Sequence, residues 1–172
     1  MENRKFCIGD IVAYGTNGIC TIERIENMSM VSGMPEMPYY VLKPESKELS
    51  TVYVPINNEK LVGKIRETLS KDEIENMINS TKGEEISWSN DRRSRNENFH
   101  SILSGGVQKE LLLMINCIRM RKKKLSDEGK KLPATDSTIL KQAERLVNEE
   151  FSRGLNIEPS EVRGYIKGIL GL

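Results

Sequence analysis

One histidine and three cysteines in 172 residues leave little from which to build a metal centre or a nucleophilic site. Cys7, Cys20 and Cys117 show no ligand spacing and leave an odd thiol over, so they read as buried, reduced side chains. His100 lies on a predicted polar helix and reads as a solvated surface residue. Neither GxxxxGK[ST] nor GxGxxG occurs, so no phosphate-cradling loop is expected. The acidic pairs Glu84-Glu85 and Glu149-Glu150 read as solvated charges at a linker and a helix end. General acid–base work would need a pocket that perturbs their pKa values. No enzymatic activity, cofactor or metal is therefore expected. Long apolar runs are also missing: the longest, Leu111–Ile115, is far too short to cross a bilayer. The opening "MENRKFCIGD" lacks the apolar core of a signal peptide, so a cytoplasmic protein is the expectation, with no membrane partner.

What is present falls into two halves with different periods. Residues 1–65 carry seven Lys/Arg and eight Asp/Glu, a balance of −1. They read as short strands: "IGDIVAYGTNGICTI" around an Asn17-Gly18 turn signal, then "PYYVLKP" and "STVYVPI". In the last run Val52, Val54 and Ile56 share one face while Thr51 and Tyr53 point the other way. Pro55 cannot donate to a ladder, which places this strand at an edge. Several such strands in about 60 residues predict a small, bent antiparallel sheet or barrel.

From residue 66 the period becomes helical. Ser70 and Glu73 form a predicted capping box, and residues 80–87 read as a connector. Helices are expected at 91–103, broken by Gly105-Gly106; at about 107–125, with Val107, Leu111, Met114 or Ile115, Ile118 and Leu125 on one face; and at about 136–152, ended by Gly154. Pro159 is expected in the first turn of a final helix. The predicted fold is α+β: a β domain over 1–65, then an all-α domain of four to five helices over 66–172.

The helical half holds the charge asymmetry. Between Trp88 and Lys131 eleven bases face five acids, a surplus of six. Arg92, Arg93 and Arg95 follow the tryptophan, and Arg119, Arg121, Lys122, Lys123, Lys124, Lys130 and Lys131 come later. A helix C-terminus attracts a few cations, but five in six positions favour phosphate contacts that do not read sequence. Trp88, the chain's one tryptophan, has two readings: a core anchor for the following helix, or an exposed ring that stacks on a base or wedges into a minor groove. Its polar neighbours and the positive charge after it favour the second.

"FCIGDIVAYGTNGICTIERIE" (6–26), "YYVLKP" (39–44), "LSTVYVPINNEKLVGKIR" (49–66) and a tryptophan followed by paired arginines and "SGG" resemble the CarD/CdnL family of bacterial transcription regulators. The N-terminal part is also similar to the polymerase-interaction domain of the transcription-repair coupling factor. The resemblance implies a Tudor-like β domain docked on the β-lobe of RNA polymerase, with Thr51, Val52, Tyr53 and Val54 extending the polymerase's sheet. It further implies that the helical domain contacts promoter DNA at the upstream fork of the bubble, Trp88 wedging there beside Arg92 and Arg93, and so stabilises the open complex. Actinobacterial-type members of the family carry arginines in the polymerase-binding face where this chain has Met28 and Tyr53, which makes the expected contact more apolar. Ser89, Asn90 and Asp91 separate Trp88 from the arginine pair, where one residue is expected. A monomer is expected. The competing reading is an adaptor whose helical domain binds another protein factor rather than DNA.

Overall fold

β-Branched and aromatic residues alternate through the first third of the chain, and there they form strands. In the computed structural model, residues 5–47 and 49–172 are described. They divide into two compact units meeting between Thr68 and Leu69, three residues beyond the division expected after residue 65.

The first unit contains β1 (Ile11–Tyr14), β2 (Ile19–Met28), β3 (Met37–Pro44), β4 (Val52–Pro55), the one-turn α1 (Glu59–Val62) and β5 (Ile65–Glu67). They build one antiparallel sheet in the order β4-β3-β2-β1-β5. At the Asn17-Gly18 signal a 3-10 turn over Gly15–Asn17 leads into Gly18 at φ 70°, a conformation that glycine adopts without cost. A register shift between Ile22 and Arg24 interrupts the β2–β3 ladder, and such bulges bend and twist a strand. One sheet face carries the core of Phe6, Val12, Cys20, Ile22, Tyr40, Leu42, Val54 and Ile65. Cys7 departs from the expected buried thiol. It is exposed, in a turn whose backbone NH bonds to Asp10 Oδ2 at 2.8 Å.

The second unit is a bundle of α2 (Lys71–Ser80), α3 (Arg92–Gly105), α4 (Gln108–Asp127), α5 (Ala134–Leu155) and α6 (Val162–Leu170). Ser70 and Glu73 form the reciprocal capping box at the start of α2. The bonds to Ser70 hold the Glu73 carboxyl below its ordinary pKa. Gly106 closes α3 in the left-handed conformation. The core joins Ile74 and Ile78 to Phe99, Leu111, Met114, Ile118, Ala143, Val147 and Phe151. Val107, expected on the buried face, is exposed because it caps α4 rather than lying within it. Glu150, expected in solvent, is buried, accepting the Leu69 NH at 3.0 Å and the Gln108 amide at 2.5 Å.

Two helix-end expectations also change. Pro159 lies before α6, in a turn closed by Glu161 N–H to Glu158 O. Gly154 does not end α5, which runs on to Leu155 and closes on Asn156 in the left-handed conformation. The glycine is there for packing: a Cβ at 154 would fall 2.6 Å from the Leu69 carbonyl oxygen and into the Ile74 side chain. Gly154→Ala is therefore expected to lower stability by about 1–3 kcal/mol, despite alanine's better helix propensity, as read by urea unfolding.

Candidate functional site

Two surfaces carry the expected site residues, one on each unit. On the β unit, β4 pairs on one side with β3 and is the terminal strand of the sheet. Its register sets Tyr40 opposite Val54, Val41 opposite Tyr53 and Leu42 opposite Val52, and the Ile56 NH bonds the Pro38 oxygen at 2.9 Å. Because inward and outward groups alternate along a strand, Val52, Val54 and Ile56 turn their backbone groups to β3. Tyr53 thus turns its NH and C=O outward, to the open edge. Pro55 is the other outward residue, so its missing NH costs the sheet nothing. The Val54 side chain lies in the core, Val52 is partly covered, and Thr51 and Tyr53 are exposed, Tyr53 by 39%.

The same register gathers a polar–apolar face opposite the core. Arg24, Glu26 and Met28 of β2 stand across from Val41, Tyr39 and Met37 of β3, and Val41 in turn from Tyr53. Met28 and Tyr53 therefore share a face, about 13 Å apart along the strands. On the same face, in line with Val41 and Tyr53 across the sheet, stands Arg24, which was not singled out from the sequence. Its guanidinium contacts Glu26 at 2.9 Å and Glu23 at 2.7 Å. The hydrogen bond to Glu26 raises its pKa first, and the charges of Glu26, Glu23 and Tyr53 add to that, against desolvation. Its alternation in "TIERIENM" was the available signal: Arg24, Glu26 and Met28 fall two residues apart.

On the helical unit, Trp88 sits in the extended segment just before α3, half-buried against the core. Its ring meets Phe99 edge-on with centroids 6.2 Å apart. Two guanidinium groups flank it, Arg95 at 4.3 Å from the ring centroid and Arg121 at 5.5 Å. The residues between tryptophan and arginine pair also have structural parts. Asp91 caps α3 by accepting the Arg93 and Ser94 NH groups at 3.3 and 3.2 Å, and the Ser89 carbonyl accepts Arg95 Nη1 at 2.8 Å. The three-residue spacing therefore supplies a helix cap and a tether, and the guanidiniums beside the indole are those of Arg95 and Arg121, while Arg92 and Arg93 bond to Thr135 and Glu97.

The bases fall into distinct groups. Arg95 is not on the surface: it is 5% exposed and makes a bidentate bond to the buried Asp136 at 3.0 and 2.9 Å. It lies on the inward side of α3, one turn before Phe99. Arg92 is exposed and reaches the Thr135 hydroxyl at the start of α5, while Arg93 pairs with Glu97 along its own helix. These contacts bring the starts of α3 and α5 and the last turns of α4 to one end of the bundle. Lys124 and Lys130 join Arg121 there, because all three lie close enough to Glu128 to lower its pKa, led by the Lys130 hydrogen bond. Lys131 is exposed in the connection to α5. By contrast Lys122 and Lys123 turn away from Arg121, since successive helical residues are about 100° apart. They line a groove with Arg119, which pairs with Glu144 at 2.7 Å. The run 119–124 is thus not one patch.

No group of three His, Cys, Asp or Glu side chains among the described residues is placed to hold a metal ion. No helix among them is long and apolar enough to cross a membrane. Residues 6–68, 63 of the 172, match the family model of the CarD-like/TRCF RID domain. The match ends where the β unit ends, and it supports a transcription-related role in which the chain interacts with RNA polymerase. No curated protein matches the chain.

Proposed function

We propose, on the premise that the β unit is a CarD-like/TRCF RID domain, that this chain is a non-enzymatic regulator stabilising the open promoter complex. The free edge of β4 adds a strand to a sheet in the β-lobe of polymerase, with Tyr53 supplying the outward NH and C=O. Thr51 lies beside that strand, and Met28 and Arg24 on β2, two strands further in, meet the lobe over the outer face of the sheet. The helical unit presents Trp88 to promoter DNA at the upstream fork of the bubble. Arg92, Arg121, Lys124, Lys130 and Lys131 contact phosphates without reading sequence. The observation that carries this reading is the indole itself, partly exposed and in contact with two guanidiniums at the cationic end of the bundle.

The energetics favour a tethered arrangement. Phosphate contacts of this kind give non-specific dissociation constants of roughly 10⁻⁴–10⁻⁶ M, too weak to select promoters unaided. Docking through the β unit raises the local concentration of the helical unit to about the mM range, above those constants. One copy on each polymerase then suffices, and no change in covalent bonds is required.

The edge is testable alone. Tyr53→Pro removes the outward NH while leaving the β3–β4 bonds in place, since Tyr53 donates nothing to β3. Polymerase capture by the full chain is expected to fall at least about tenfold, with the β-sheet circular dichroism retained. A folded Tyr53→Pro chain that binds polymerase like wild type would exclude strand addition at β4.

A further inference from the structure

A second surface of the helical unit has no part in that reading. A groove between α4, α5 and α6 encloses about 970 Å³. It lies on the side of α4 opposite Arg121, so it is separate from the Trp88 end. Its floor is apolar: the edges of the buried Leu112, Ile115, Leu140 and Val147 lie at its base, and the partly exposed Ile166 and Leu170 of α6 line its side. Its rim is cationic: seven Lys/Arg line it against three Asp/Glu. One of the three acids, Glu144, is already paired with Arg119, and Glu84 is paired with Lys109. Of the large apolar side chains exposed among the described residues of this unit, Val107, Met120 and Leu172, two stand at this groove.

An apolar floor inside a positive rim defines the chemistry of what fits. Duplex DNA matches the rim and wastes the floor, because phosphates and sugars gain nothing from Leu112 or Ile166. An apolar helix matches the floor and leaves the cations unpaired. We propose that this groove receives an acidic amphipathic helix of a partner protein, its apolar stripe on the floor and its carboxylates against Lys123, Lys141, Arg163 and Lys167. α5 packs against both α4 and α6, the trough over it is shaped for a further helix, and Met120 supplies an adaptable side chain at its lip. The chain then binds DNA at one end of the bundle and a protein at its side.

The test uses the full chain and two fluorescein-labelled 18-residue synthetic helices with the same leucine stripe, one flanked by glutamates and the other by lysines. Anisotropy is expected to show binding of the acidic peptide and not of the basic one. Lys141→Glu/Lys167→Glu, both exposed positions away from the DNA-facing end, is expected to weaken the acidic peptide about tenfold while leaving duplex-DNA binding unchanged. A short DNA duplex is expected not to displace it. Absence of binding, equal binding of both peptides, indifference to the double substitution, or displacement by duplex each overturns the proposal.

Discussion

Trp88→Ala is expected to leave polymerase binding intact and to shorten the lifetime of open promoter complexes about tenfold. The size follows from what one ring can hold. A base stacked on an aromatic side chain gains ~1–3 kcal/mol, which compares with the ~1.4 kcal/mol of a base-pair step that must re-form when the bubble closes. A loss of ~1.4 kcal/mol is a factor of about ten in rate. The ring is suited to this because its position is fixed before DNA arrives. Phe99 meets one edge of the indole, and Arg95 lies 4.3 Å from its centroid. Little conformational freedom remains to be lost on stacking. The substitution removes a half-buried side chain, so the helical unit stays folded with its core of Phe99, Leu111 and Phe151 in place. Decay of preformed complexes after addition of competitor DNA reads the effect. Trp88→Phe, which keeps a smaller ring, is expected to fall between alanine and wild type.

The second large effect lies beneath the tryptophan. Asp136→Ala is expected to cost about 3–5 kcal/mol of unfolding free energy, because it strands the Arg95 guanidinium in the interior. Both partners are buried, and the bond is bidentate at 3.0 and 2.9 Å. Replacing both members with leucine removes the charge along with its partner, and a buried pair exchanged for apolar groups is often near neutral. The double variant Arg95→Leu/Asp136→Leu is therefore expected to recover most of the stability in urea unfolding. It should not recover open-complex lifetime, since the ring loses the guanidinium under it and Ser89 loses its tether. Stability regained without lifetime would identify Arg95 as a positioning residue for Trp88. Recovery of both would reduce the pair to a structural bond.

Much of the fold could be read because local signals coincide with tertiary ones. Val52, Val54 and Ile56 alternate onto the core side of β4, and Pro55 marks the edge, as the strand period requires. Ser70 and Glu73 form their box within four residues, and Gly106 ends α3 within its own turn. What could not be read depends on partners far along the chain. "RRSR" looks like one cationic run, yet Arg95 falls one turn before Phe99 and meets an aspartate 41 residues later. Glu150 looks solvated beside Glu149 until Leu69, 81 residues earlier, donates to it. Gly154 looks like a helix end because nothing nearby in sequence shows that Leu69 and Ile74 press against it. The run 119–124 was legible in sign and not in direction. Composition counts its charges, while the helix period divides them between the Trp88 end and the α4–α5–α6 groove. Trp88 itself had two readings, core anchor and exposed ring, and its half-buried ring packs on the core at one edge.

The most direct measurement is a footprint of a promoter–polymerase complex alone, with the wild-type chain, and with Trp88→Ala. The expected result is a change confined to the upstream edge of the bubble with wild type, seen as longer-lived reactivity of unpaired thymines there. With Trp88→Ala that change should disappear while the polymerase-bound signal of the protein persists. The same upstream pattern with both proteins, or no change when wild type is added, would contradict a role for the indole at the fork.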